Sequence, residues 1–85
     1  MPENLRPIFE ARTAHDAVRA TTALLNSSSP EDQSRLLHGP IFINIVNSVL
    51  MGLDECRRDH ALEIVGTFDK DIRAEAHALL INELN

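Results

Sequence analysis

Cys56 and His60 are the residues with the clearest potential for chemistry, because they lie four positions apart on a predicted helix. At that spacing both side chains share one helix face, where a thiolate and an imidazole can bind zinc together. A structural zinc site needs four ligands, however, and the other histidines, His15, His38 and His77, are isolated in the sequence. We therefore predict no metal site and interpret the pair as a small thiol beside a surface histidine.

Cys56 and His60 could also act as a thiol nucleophile and its general base. A histidine near a cysteine stabilises the reactive thiolate. Cysteine enzymes take that base from a distant part of the fold and also need a substrate pocket and an oxyanion site. We favour a non-enzymatic chain with no catalytic residues and no cofactor. The alternative is a small metal-binding or thiol-dependent enzyme centred on Cys56 and His60.

Acidic residues surround this pair: Asp54, Glu55, Asp59 and Glu63. Two carboxylates in a cleft can carry out glycosidic or metal-assisted hydrolysis. Here Arg57 and Arg58 lie beside them, which favours a solvated helix face with local ion pairs. Such exposed pairs contribute little to stability.

The charge distribution argues against nucleic acids and anionic membranes as partners. The chain has 85 residues, of which 8 are basic and 13 acidic, and a formal net charge of −5. The acidic excess lies mainly in residues 53–85, and basic residues cluster nowhere. Phosphate backbones and acidic lipids are bound by clustered lysine and arginine. We therefore expect a protein partner, no nucleic acid and no membrane.

Cys56 is the only cysteine, which excludes an internal disulfide and favours a reducing compartment. The sequence starts without the basic and apolar segments of a secretory signal. Its longest apolar stretch, residues 41–51, is about half as long as a membrane-spanning helix. We expect a cytoplasmic protein with a single helical domain over residues 1–85.

Start and stop signals divide the first half of the chain into helices. Residues 2–11 predict one short helix. Thr13 is the predicted cap of a second helix, which ends at Asn26 and the serines that follow. Ser29 is the clearest cap in the sequence, because Pro30 and two acidic residues follow it at the positive end of the helix dipole.

Similar start and stop signals define the helices in the second half of the chain. Gly39 ends the third helix and Pro40 begins the fourth, which is predicted to stop at Gly52. Asp54 and Asp69 are the predicted caps of the last two helices. The chain thus divides into five clear helices and a short sixth at the N-terminus.

Apolar residues at helical spacing predict the buried faces. They are Leu5, Ile8, Phe9, Ala14, Ala17, Val18, Thr21, Leu24, Leu25, Leu36, Leu37, Ala61, Leu62, Val65, Ile72, Ala76, Leu79, Leu80 and Leu84. His77 lies among alanines and is expected to touch the core. We predict an all-α fold without a sheet, a compact orthogonal bundle of five to six short helices. A death-fold domain has this size and helix count, although the likeness is architectural and does not define a function.

Residues 41–51 are the most apolar part of the chain. Their helical stripe is wide and consists of Ile41, Phe42, Ile45, Val46, Val49 and Leu50, and Ile43 and Met51 extend it around the helix. Our favoured interpretation is a central helix, because a small core needs one such element. In the alternative, Phe42, Ile43 or Met51 belongs to an exposed apolar patch at an interface.

These observations predict a non-enzymatic protein–protein interaction module. It would be a small adaptor, regulator or inhibitor that associates with itself as a homodimer or with another protein. An acidic face suits a basic partner. The candidate interface therefore combines apolar and acidic residues: Phe42, Ile43, Met51, Asp54, Glu55 and Asp59.

Overall fold

Six α-helices account for most of the residues that the computed structural model describes, which are 3–53 and 55–82. A 3-10 turn over Glu3–Leu5 leads into the first of them. In chain order they are α1 (Arg6–Phe9), α2 (Ala14–Asn26), α3 (Pro30–His38), α4 (Pro40–Leu53), α5 (Arg57–Thr67) and α6 (Arg73–Ile81). The described residues contain no strand, and the predicted all-α class is confirmed.

Side-chain caps define the starts of α2 and α3 as the sequence predicted. The Thr13 hydroxyl accepts a hydrogen bond of 3.0 Å from the backbone amide three residues on, and the Ser29 hydroxyl accepts the equivalent bond of 3.2 Å. At the other end of α3, Gly39 is extended because Pro40 disfavours a helical conformation in the residue before it. The chain consequently bends by 76° between α3 and α4.

Several predicted helix boundaries differ from the observed ones. The helix predicted over residues 2–11 is confined to Arg6–Phe9, and α5 begins after an N-cap at Cys56. α4 runs through Gly52, where φ is negative, because a single glycine weakens a helix by only about 1 kcal/mol. Asp69 does not cap α6: its carboxylate accepts a 3.1 Å bond from the amide of Asp71 within a turn, and α6 begins only at Arg73. The predicted cap Asp54 lies outside the described residues.

α4 is the central helix of the bundle, as the favoured interpretation predicted. It packs against each of the other five helices. Its inner side presents Phe42, Val46 and Leu50, which are at most 1% exposed. The Phe42 ring meets that of Phe68 edge to face, with centroids 6.3 Å apart. Such aromatic pairs add about 0.5–1.5 kcal/mol to the stability gained from burial alone.

The buried faces of α5 and α6 differ from the predicted ones at their margins. Leu62 and Leu79 are 40% and 38% exposed, whereas Ile64 is fully buried. α5 packs on α2 and α6 together, so its buried arc turns toward Ile64 and away from Leu62. His77 is exposed and does not join the core. Leu84 lies outside the described residues.

A buried glutamine connects three segments of the chain. Gln33 lies on the inner side of α3 and is 6% exposed. Its Nε2 donates to the Leu25 carbonyl oxygen near the end of α2 (2.9 Å), and its Oε1 accepts from the Asp69 amide after α5 (2.8 Å). The side chain is therefore hydrogen-bonded at both polar atoms, as burial of a polar group requires.

The bundle is as compact as a folded domain of this length should be. The Cα radius of gyration is 11.3 Å, and the value expected for about 85 residues is roughly 12 Å. The predicted compact bundle of short helices is confirmed. Among the described helices, none is by itself long and apolar enough to cross a membrane; α3 and α4 meet that test of length and composition only as a bent pair.

Candidate functional site

Exposed apolar side chains gather where α1 passes the outer side of α4. Phe9 is 59% exposed and Ile41 46% exposed. A groove of about 350 Å³ runs between the two helices and is lined by Phe9, Asn44, Ile45, Ser48 and Val49. These residues together with Ile41 are called the α4 surface below. Ile41 also borders a second, smaller groove of about 180 Å³ toward the end of α3.

Helical geometry explains why α4 exposes this surface while its other side is buried. Ile41, Ile45 and Val49 follow one another at intervals of four and form a row along the helix. Asn44 and Ser48 form a second row beside it. The neighbouring helices cover the side of α4 opposite these rows, and Ile45 and Val49 are only half-buried at the boundary.

The α4 surface differs electrostatically from the rest of the bundle. Among the described helices, α4 alone has no charged residue, over a length of 14 residues. α2, α3, α5 and α6 each carry both acidic and basic side chains. The polar groups that α4 presents to solvent in the groove are the Asn44 amide and the Ser48 hydroxyl, both neutral.

The structure separates the residues of the predicted interface. Phe42 is buried in the core, because it lies on the same face of α4 as the buried Val46 and Leu50, and its assignment to a surface is corrected. Ile43 is half-buried and packs against the core, while Met51 is 56% exposed. The acidic members Glu55 and Asp59 are exposed. The remaining one, Asp54, is outside the described part of the chain.

Cys56 and His60 lie one helical turn apart at the start of α5. Cys56 is exposed and occupies the N-cap position, and His60 is half-buried. The His60 amide donates a backbone hydrogen bond of 3.2 Å to the Cys56 carbonyl. Within residues 3–53 and 55–82, no three His, Cys, Asp or Glu side chains are placed to share a metal ion.

His38 takes part in a contact that its isolation in the sequence does not indicate. Its Nε2 hydrogen-bonds the carboxylate of Glu75 on α6, and its Nδ1 lies 2.8 Å from the Ser34 carbonyl oxygen. The hydrogen bond to Glu75, followed by the bond to Ser34, raises the pKa of His38 above 6.5. The imidazole thus links α3 to α6 at the protein surface.

The interface predicted from the sequence contains none of the residues of the α4 surface, of which Phe9 is the most exposed large apolar one. Phe9 lies at helical spacing with Leu5 and was predicted to be buried with Leu5 and Ile8, both of which are buried. α1 contains only four residues. The burial of Leu5 and Ile8 is enough to hold it against the bundle, and Phe9, which follows Ile8, projects into solvent. The only local signal is the shortness of the segment between Pro7 and Thr13, which leaves α1 less than two turns.

Comparisons with protein-family models, with curated proteins and with solved structures find no match to this chain. The geometry and chemistry of its surface therefore carry the functional argument. That surface includes an apolar groove between α1 and α4, and α4 has no charged residue although the net charge of the chain is −5.

Proposed function

We propose that this chain is a non-enzymatic protein–protein interaction module that associates with itself. It acts as a small adaptor, regulator or inhibitor, and the α4 surface is where it binds. The proposed location is the cytoplasm, where an exposed thiol such as Cys56 stays reduced.

The single observation that supports this function is the exposure of apolar side chains at and beside the groove between α1 and α4. Phe9, which is exposed, and Ile45, which is half-buried, line the groove, and Ile41 is exposed on the same row of α4 as Ile45. Each Å² of apolar surface removed from water contributes about 25 cal/mol, and a phenylalanine contributes about 1.5–3 kcal/mol when fully buried. A contiguous apolar patch on a small domain is typical of a protein interface.

Light scattering across a range of protein concentrations tests the proposal. The chain has a mass of 9.5 kDa. We expect the measured mass to rise toward twice that value between about 1 μM and about 1 mM, the range of weak to moderate affinities. A mass that stays at that of one chain over the whole range would contradict self-association. The Phe9→Ser variant should shift the rise to higher concentration, because it removes the most exposed apolar side chain of the groove.

A further inference from the structure

His38, the last residue of α3, contacts α6 in an arrangement that its charged form alone can complete. We infer that a proton controls this connection: doubly protonated His38 bonds both Ser34 and Glu75, whereas neutral His38 releases Glu75. The fold thus contains a pH-sensitive link between two helices. The link lies within one chain and is therefore independent of self-association and of the α4 surface.

Both ring nitrogens of His38 face hydrogen-bond acceptors. Nδ1 lies 2.8 Å from the backbone carbonyl oxygen of Ser34, and Nε2 hydrogen-bonds the carboxylate oxygen Oε1 of Glu75. Neither a carbonyl nor a carboxylate oxygen carries a hydrogen, so both nitrogens must be donors. A neutral imidazole has one N–H group, and the imidazolium ion has two. The two contacts therefore exist together when His38 is protonated at both nitrogens.

Loss of the second proton breaks the contact with Glu75 rather than the contact with Ser34. The Ser34 carbonyl belongs to the same turn of α3 as His38, so the ring and this acceptor move together. The Ser34 hydroxyl is farther from Nδ1, at 3.4 Å, and is the weaker partner. With the remaining hydrogen on Nδ1, the lone pair of Nε2 faces the carboxylate. The Glu75 side chain, which is 50% exposed, then turns to water.

Charged groups on α3 and α4 do not compete with Glu75 for His38. α4, which packs against α3, has no charged residue. On α3, the Arg35 guanidinium pairs with the carboxylates of Glu31 at 3.0 Å and Asp32 at 3.5 Å. These three side chains are therefore occupied with one another on their own helix.

On α6, Glu75 is the charged residue that reaches His38. Arg73, two positions earlier, directs its guanidinium to the Phe68 carbonyl oxygen, with Nη2 at 2.9 Å, and so leaves the Glu75 carboxylate to the imidazole. The hydrogen bond to Glu75, followed by the bond to Ser34, raises the pKa of His38 above 6.5. This direction agrees with the two acceptors that the ring faces.

The effect of the proton is confined to the end of α3, because the start of this helix is held independently of pH. Gln33 hydrogen-bonds the Leu25 carbonyl oxygen (2.9 Å) and the Asp69 amide (2.8 Å), and an amide side chain does not titrate. Little more than one helical turn further on, His38 supplies another connection of α3. Loss of that connection should loosen the chain around Gly39, where it bends by 76° into α4.

Amide hydrogen exchange measured by NMR, at a concentration where the chain is monomeric, tests this link. The Gly39 amide, which donates to the Leu36 carbonyl, reports on the end of α3. The Gln33 amide, which donates to the Ser29 carbonyl, reports on its start. Protection factors correct each exchange rate for the rate in an unfolded peptide at the same pH. From about pH 5 to about pH 8, the ratio of the Gly39 factor to the Gln33 factor should fall about twofold to fivefold, the range for an exposed ion pair.

Two variants separate this contact from other effects of pH. Glu75→Gln removes the carboxylate and keeps the size of the side chain, so the ratio should no longer fall as the pH rises. His15→Gln removes another exposed histidine, whose Nε2 lies 3.3 Å from Arg19 on α2, and the ratio should fall as it does in the parent chain. A ratio that stays constant in the parent, or that falls equally in Glu75→Gln, would overturn the link.

The nitrogen chemical shifts of the His38 ring test the atomic detail, because they distinguish the imidazolium ion from each of the two neutral tautomers. At low pH we expect hydrogens on both nitrogens. After the transition we expect a neutral ring whose hydrogen remains on Nδ1, bonded to the Ser34 carbonyl. A neutral ring with its hydrogen on Nε2 would keep the bond to Glu75 and would contradict its release.

Discussion

The junction at Gln33 and the α4 surface are opposite departures from the usual pattern of a polar exterior and an apolar interior. At the junction a polar side chain is buried, 6% exposed, and both ends of its amide are hydrogen-bonded. On the α4 surface, apolar side chains such as Phe9 and Ile41 are exposed to water. The first departure is compensated within the chain, since Leu25 and Asp69 provide the partners.

Among residues 3–53 and 55–82, nothing covers the exposed apolar side chains of the α4 surface in the same way. α1 and α4 already pack together, yet the groove between them stays open. An exposed apolar side chain therefore points to a binding surface only where no other part of the fold covers it. The hydrogen bonds of Gln33 explain its burial, whereas for the α4 surface we propose contact with a second molecule.

The largest effect is expected on the inner side of α4. Phe42→Ala removes a fully buried ring and its edge-to-face contact with Phe68, which should lower the free energy of unfolding by about 3–5 kcal/mol. Phe9→Ala is the matched control on the outer side and should cost about 1 kcal/mol or less. Urea unfolding at a concentration where the chain is monomeric measures both. An equal decrease in the free energy of unfolding for Phe42→Ala and Phe9→Ala would contradict the assignment of Phe42 to the core and of Phe9 to the surface.

A smaller loss of stability is expected at the polar junction. Gln33→Leu keeps much of the side-chain volume but leaves the Asp69 amide without its acceptor, so the free energy of unfolding should fall by about 1–3 kcal/mol. The Leu25 carbonyl still accepts from the Ser28 amide, which limits the loss at that end. Thermal and urea unfolding measure the change. A free energy of unfolding within about 0.5 kcal/mol of the parent value would show that the hydrogen bonds of Gln33 do not stabilise the fold.

Two exposed residues of equal size, Ile41 and Leu62, allow the effect of a charge on dimerisation to be compared inside and outside the α4 surface. Ile41 and Leu62 are 46% and 40% exposed, but only Ile41 belongs to the α4 surface. Ile41→Glu should weaken dimerisation at least about tenfold, which corresponds to about 1.4 kcal/mol. Leu62→Glu on α5 should leave the dissociation constant within about twofold. Sedimentation of both variants decides the point, and an equal effect of the two would place the contact elsewhere.

The smallest effect is expected at the exposed contact between His38 and Glu75. Because the folded chain holds the pKa of His38 above 6.5, protonation favours the folded state. The added stability is fully present below the unfolded value of 6.5 and is lost as the pH rises through the raised folded value. The melting temperature of the parent minus that of Glu75→Gln should therefore decrease across this window. NMR titration of the His38 ring gives the pKa directly, and a value at or below 6.5 would contradict the assignment.

Local signals in the sequence were sufficient to predict how α2 and α3 begin. Thr13 and Ser29 cap helices through bonds to amides three residues away, so a short stretch of chain contains all the information. Asp69 has the same residue type, but the turn that precedes α6 uses its carboxylate first. A capping residue type can therefore be recognised from the sequence. Whether its side chain bonds the helix or a preceding turn, as at Asp69, depends on the path of the chain before the helix.

Contacts between distant residues explain what the sequence did not predict. Gln33 and Asp69 are 36 positions apart, and His38 and Glu75 are 37 apart. The apolar content of residues 41–51 correctly predicted a central helix. It did not predict which of these apolar residues remain exposed, because that depends on which side of α4 the other helices cover.

Intermolecular NMR contacts determine whether two copies of this chain meet through the α4 surface, as we propose. A sample that mixes isotope-labelled and unlabelled chains reports only distances across the interface. We expect intermolecular NOEs from the methyl groups of Ile41, Ile45 and Val49 and none from Leu62 or Leu79. Intermolecular NOEs confined to Leu62 or Leu79, or the absence of any NOE from α4 at a concentration where the chain is dimeric, would contradict it.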